Sequence, residues 1–264
     1  MNKRIDNLAD ADYRAIKAVS KSALDWFAKS PAHYKHVVID GNRPDPTAAM
    51  ATGSAFDTLL LTPQIFEMTY AVAPDVRRGT KAWDEFESQN QGKILIKNEE
   101  LSRIKAMVAS VRSHQAASEL LSSGTAQVSY TWKDTFSGLD CKGRADFVTT
   151  KGAIVDVKST QCGSPSEFAK SMASFRYHVQ AAMYLNAQTC TGGPTTSEFY
   201  FIAVEKEPPY LTAVYLIDQE ALALGFATMQ AELGHLAQCL KRNDWPGYHA
   251  GVETLNLPPW VYKS

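Results

Sequence analysis

Three apolar, largely β-branched stretches follow one another between residues 126 and 159, and this meander limits what the chain can fold into more than any other feature. "AQVSYTWKD", "LDCKGRADFVTT" and "AIVDVKS" are joined by "TFSG" and "TKG", connections short and turn-forming enough for antiparallel hairpins. The third strand breaks its own pattern. In "GAIVDVKST" the residues Ala153, Ile154, Val155 and Val157 suit a buried strand, yet Asp156 and Lys158 stand among them. Side chains two apart leave a strand from one face, so the carboxylate and the ammonium emerge together. The tight hairpin brings "GRADFV" alongside and adds Asp146, which places two carboxylates and one lysine at one end of a sheet.

Paired aspartates are hard oxygen ligands suited to Mg²⁺ or Mn²⁺, and a neighbouring ammonium can orient an attacking water and steady developing negative charge. Metal-assisted phosphodiester hydrolysis uses those parts. A D-x-K triplet alone says little, since one arises by chance roughly once in a chain of this length, and a solvated ion pair on an edge strand reads it equally well. The helix-forming stretch "FRYHVQAAMYLN" adds Arg176, Gln180 and Tyr184 at intervals of four, hence on one face. Such a face can hold phosphates or orient carboxylates. An ordinary polar helix face is the other reading.

The remaining pattern predicts a short helix and turn over 20–36, a helix from about Gly53 to Pro63, and a long helix over 98–121. A helix over 166–188, strands in "SEFYFIAVE" and "YLTAVYLID", and a last helix over 219–242 follow. This order predicts one α/β (α+β) domain over 1–264, with a central mixed β-sheet flanked by helices. At 264 residues and 45% hydrophobic content the chain can bury a large core. A net charge of −1 carries no sign of a polyanionic partner. The N-terminus has no apolar leader pattern, and the longest apolar runs, such as "FYFIAV", are far short of the roughly 20 residues a membrane span needs. A soluble cytoplasmic protein with no membrane partner is expected. Cys141, Cys162, Cys190 and Cys239 are scattered without a CxxC, which predicts free thiols rather than zinc ligands or disulfides.

Several blocks together, "VSKSALDWFAKSPAHY", "ATGSAFDTLLLTP", "VAPDVRRGTK", "CKGRAD", "IVDVKST", "FRYHVQAAMY" and "NDWPGY", run in order along almost the whole chain. In these the chain resembles the RecE-like exonucleases (exonuclease VIII type) of the PD-(D/E)xK superfamily. More distantly it resembles lambda exonuclease and the nuclease domain of RecB. The resemblance implies a restriction-endonuclease-like core and Mg²⁺-dependent, 5′-to-3′ degradation of one strand from the ends of duplex DNA. It implies Asp146 and Asp156 as metal ligands, the Val157 carbonyl completing the shell, and Lys158 serving the nucleophilic water. Gln180 and Tyr184 match the family's Q-x-x-x-Y motif. It also implies a ring-shaped homo-oligomer, trimer or tetramer, and a RecT-like or Redβ-like single-strand annealing partner.

One position departs from that pattern: these relatives carry histidine four residues after the glycine of "GSAF", where this chain has Asp57. Aspartate is itself a hard ligand for Mg²⁺, and a solvated helix residue is the alternative. Arg144 shares a strand face with Asp146 and suits a phosphate or, equally, a neighbouring carboxylate. Arg77 and Arg78 suit the DNA backbone or a solvated surface. Ser20 and Ser22 suit a phosphate at a helix N-terminus or simple capping. Trp26, Trp83 and Trp132 read as core or interface residues, and His178 as packed. Three competing functions stand beside the exonuclease: a non-catalytic DNA-end binder that kept the fold, a Cas4-like or AddB-like nuclease, which would need clustered cysteines for an iron-sulfur cluster, and a sequence-specific endonuclease, which would cut closed circular DNA.

Overall fold

Alternating apolar residues along the strands build a sheet with two buried faces, and the computed structural model, which describes residues 2–77, 79–249 and 251–258, carries helices on both. The chain begins with β1 (Lys3–Ile5), α1 (Asp10–Ala15), α2 (Lys21–Lys29) and α3 (Pro31–Tyr34), which runs into a turn of π-helix at Lys35–Ile39. Next come α4 (Ala48–Leu61), α5 (Pro63–Thr69), β2 (Tyr70–Ala73), α6 (Lys81–Gln89), β3 (Ile94–Lys97), α7 (Asn98–Ser113) and α8 (Gln115–Leu120). The predicted meander follows as β4 (Gly124–Lys133), β5 (Asp140–Thr149) and β6 (Ile154–Thr160). Then come α9 (Pro165–Ser174), α10 (Tyr177–Cys190), β7 (Phe199–Glu205), β8 (Thr212–Leu216) and α11 (Gln219–Arg242).

The main sheet has the order β1-β4-β5-β6-β7-β8, with β6 and β7 parallel and the other neighbours antiparallel. It is the mixed sheet expected. β2 and β3 pair separately, in parallel. Phe199, Phe201 and Ala203 of β7 face one core, shared with α2, α10 and α11; Ile202 and Val204 face the other, shared with α4, α7 and α8. Ile154 belongs to the first core and Val155 and Val157 to the second. The alternation therefore sends Asp156 and Lys158 toward α10.

Four expectations are corrected. The helix predicted from Gly53 begins at Ala48, because the Thr47 side chain caps it by accepting the Met50 N–H and the intervening small residues extend it. The helix over 98–121 is two helices, since His114 is extended and its ring nitrogen caps the second by accepting the Ala117 N–H. The helix over 166–188 breaks at Arg176, which is left-handed at φ 57°. The N-terminal strand β1 and the β2–β3 pair, too short to show a clear alternation, were not anticipated.

Helices α10 and α11 cross where Gly225 has no side chain: a Cβ there would lie 2.2 Å from the His178 carbonyl oxygen. Gly225→Ala is expected to force the two helices apart and to lower stability by about 1–3 kcal/mol, the range for overpacking a filled core. Urea denaturation of the variant beside the parent measures this.

Candidate active site

The site forms where β5 and β6 part. Their ladder holds only at Phe147–Val155 and Val148–Ile154, after which β6 pairs with β7 alone, from Ile154 to Thr160. The parting leaves the N–H of Val157 without a strand partner on the β5 side. The Asp146 carboxylate fills the gap, with Oδ2 accepting from that N–H at 2.9 Å. Asp156 is fully buried at 1% exposure. Its Oδ1 accepts from the Gln180 amide at 2.5 Å, and its Oδ2 meets the Lys158 ammonium as an ion pair but finds no partner in hydrogen-bond geometry. Lys158 Nζ also lies 4.9 Å from the centre of the Tyr177 ring. The edge-strand, solvated reading of the triplet is thus replaced by a buried ion pair on a central strand.

Burial, with crowding of like charge second, sets the protonation of this cluster. Burial first, and then the Asp156 charge, pushes the Asp146 carboxyl up to about 7, against the opposing pull of Lys158 and the Val157 N–H. Asp57, on the face of α4 that approaches β6, is pushed well above the usual carboxylate range by burial and by Asp146, with Lys158 opposing and Asp156 adding a smaller upward push. Burial works against the charge of Lys158, but Asp156 and Asp146 outweigh it and hold the ammonium above its ordinary range.

This has a consequence for stability when no cation is bound. The unfolded chain releases its carboxyl protons near pH 4, while native Asp146 keeps its proton to about pH 7. Between those values the native state binds more protons than the unfolded state, so stability is full below the window and falls as pH rises through it. In EDTA the thermal midpoint is expected to drop from pH 5 to pH 7.5, and Asp146→Asn to flatten that slope.

Other predicted residues lie around this centre in different states. Tyr184 packs its ring on the backbone of Gly143, where a Cβ would be 3.0 Å away. The two members of the Q-x-x-x-Y motif therefore grip different strands, Gln180 the carboxylate of β6 and Tyr184 the backbone of β5. Arg176 stands before α10 rather than on its face. Its guanidinium is spent on Asp25 at 3.0 Å, on Glu232 and on the Leu24 carbonyl, which ties α10 to α2 and α11. Arg144 donates to Ser129, Asp10 and the Leu8 carbonyl and stacks on Tyr13 at 4.1 Å, so the carboxylate partner is the reading its geometry matches. Ser20 caps α2 by accepting the Ala23 N–H and touches Ser22. Arg77 is exposed; Arg78 lies outside the described residues. Trp132 and Trp83 are buried, and Trp26 carries the Lys29 ammonium on its ring at 3.9 Å. The four cysteines are free thiols.

Sequence reasoning missed the strap that covers this end of β5. Lys142 Nζ, on the same strand face as Arg144, donates to the main-chain carbonyls of Tyr13, Arg14 and Ile16. Lys142, Arg144 and Asp146 alternate along one strand, which was the available signal. The two cations, Lys142 and Arg144, are clamps for residues 8–16. Tyr177, missed beside Arg176, lines a cavity of about 610 Å³ together with Asp57, Lys158, Ser159, Phe175 and Lys206.

The donors present fit a hard divalent cation. Burial first, and then the neighbouring carboxylate, pushes Asp146 and Asp57 up, and one oxygen of buried Asp156 has the Lys158 ammonium as its ion-pair partner but no hydrogen bond, so a divalent cation would offset both costs. They are not drawn together in advance: among the described residues no three His, Cys, Asp or Glu side chains gather at ligating distance. Asp156 turns to Lys158 and Gln180, and Asp146 to the Val157 N–H.

Comparison with known proteins agrees with this fold. Residues 20–258 match the family described as a PDDEXK-like domain of unknown function, DUF3799. The chain belongs to that family. A crystal structure of a candidate exonuclease from Eubacterium rectale aligns over 97% of both chains at 15% identity, with a TM-score of 0.65, and shares the fold. A second structure, SSO0001, aligns over 61% of this chain and 69% of its own at 14% identity; its TM-score of 0.31 carries no argument. No curated protein matches. This PDDEXK-like domain thus has the PD-(D/E)xK core, with the RecE likeness resting on the sequence motifs. The matched region begins after the strap. Among the described residues no helix is long and apolar enough to cross a membrane.

Proposed function

We propose that this domain is a metal-dependent exodeoxyribonuclease that degrades linear duplex DNA from its ends in the 5′-to-3′ direction and leaves 3′ overhangs for single-strand annealing. The observation that carries the reading is the Asp146–Asp156–Lys158–Gln180 cluster, buried where β5 and β6 part and set beside an open cavity. Asp146, Asp156 and the Val157 carbonyl, joined by Asp57, would hold Mg²⁺, with Mn²⁺ as a substitute. A bound cation supplies polarisation of the scissile phosphate and a more acidic water.

The chain's own residues do the rest. Asp156 and Asp146 favour the charged form of Lys158, and as an ammonium it donates hydrogen bonds that orient the nucleophile and oppose charge on the phosphate. Gln180 fixes the rotation of the Asp156 carboxylate, the positioning role that carboxylate ligands need. Burial keeps competing water from weakening these contacts. The sequence likeness further supports a homo-oligomeric ring of three or four subunits, a RecT-like or Redβ-like annealing partner, and a cytoplasmic location.

The test uses linear duplex labelled at the 5′ or the 3′ end, beside a closed circle, in Mg²⁺. Early release of the 5′ label with the circle untouched is expected. Cutting of the circle would replace the exonuclease reading with an endonuclease. Asp57 in place of histidine favours a second reading, an end-binding protein without catalysis, and tight binding of ends with no cleavage would select it.

A further inference from the structure

In the cavity lining the chain places an exposed aromatic ring, Phe175, against a half-buried one, Tyr177. Phe175 is 60% exposed and lines the cavity together with Lys158 and Lys206. Its ring stacks on Tyr177, centroids 5.6 Å apart and planes at 22°. The presentation is fixed by the left-handed step between the two aromatic residues. Lys21 Nζ donates to the Phe175 carbonyl at 2.6 Å, Arg176 is pinned by Asp25 and Glu232, and Lys158 rests on the Tyr177 ring. A ring held this firmly in water, with cations beside it, is built to receive a flat partner that carries phosphate.

We propose that Phe175, backed by Tyr177, is a stacking platform for an unpaired base beside the scissile phosphate. The proposal rests on the nuclease reading above and names how that site grips its strand. Aromatic platforms flanked by cations are how proteins hold single strands without reading sequence. A base within a duplex has both faces covered by its neighbours, so the terminal nucleotide must leave the stack before it can lie on Phe175. The cavity, about 610 Å³, has the size of sites that take small ligands, which suits a nucleotide.

The test is binding in EDTA, read by fluorescence anisotropy, of a duplex with a short unpaired 5′ tail and of the same duplex with an abasic tail. The parent is expected to bind the base-carrying tail about tenfold more tightly than the abasic one. Phe175→Ala should lose that preference, and Phe175→Trp should restore it. A Phe175→Ala protein that keeps the full preference overturns the platform. A parent that cleaves ends in Mg²⁺ yet shows no preference overturns the platform and leaves the nuclease reading standing. A parent that binds neither tail and cleaves nothing overturns both.

Discussion

Lys158→Met is expected to slow strand cleavage by about 10²–10⁴-fold, the range spanned by removing one positioned proton-transfer or charge-stabilising group. The substitution keeps an unbranched chain of similar length on the Tyr177 ring and removes only the ammonium. Its effect should therefore fall on turnover, with DNA binding weakened much less. The loss has a second reading in the same protein: without Lys158, Asp146 and Asp156 face each other with less opposing charge, so Asp146 should hold its proton to still higher pH. Even where Mg²⁺ and pH are high enough to displace that proton, the rate should stay low, because the missing charge acts on water and phosphate. Single-turnover cleavage of a labelled linear duplex, with circular dichroism to verify the fold, measures both aspects. A rate within a factor of two of the parent would remove Lys158 from the mechanism.

Arg176→Leu is expected to destabilise the fold by about 2 kcal/mol, between the cost at a solvated pair and that of breaking a buried one, because the side chains involved are half-buried. The guanidinium joins three helices: it donates to Asp25 and the Leu24 carbonyl at α2 and to Glu232 on α11, from the residue that opens α10. Asp25 keeps Lys21 as a partner, which softens the loss, but Glu232 is left with a carboxylate that burial already pushes up and whose other oxygen has no partner. Two controls separate charge from backbone. Arg176→Gly suits the positive φ yet removes the guanidinium, so it should recover only about 1 kcal/mol. Arg176→Met with Glu232→Met should be less destabilised than the sum of the single changes, since neither charge is then stranded. Urea denaturation of the set decides; a stable Arg176→Leu with weakened DNA affinity would return Arg176 to the phosphate-binding role.

The parts that sequence revealed and the parts it hid divide along physical lines. The β4–β5–β6 meander was legible because a period of two and connections of three or four residues leave few alternatives. Asp156 and Lys158 stood out because they break that period in a strand otherwise apolar. Gln180 was legible by its spacing to Tyr184 on one helix. Arg176 was misplaced because a left-handed step normally announces itself with glycine or asparagine, and "SFRYH" has neither; tertiary ion pairs impose it. The clamping roles of Lys142 and Arg144 depend on a segment more than 100 residues earlier in the chain, a contact no local pattern encodes. The same holds for Phe175, whose exposure follows from that step.

The proposed activity requires that the cluster of Asp146, Asp156 and Lys158 be a cation-dependent hydrolytic centre. The measurement that meets it most directly is cleavage of linear duplex DNA by the parent and by Asp146→Asn, each in Mg²⁺ and in EDTA. Cleavage by the parent in Mg²⁺ alone, abolished in the folded variant, is the predicted result. A parent that never cleaves, or cleavage that survives EDTA or the loss of Asp146, would contradict it.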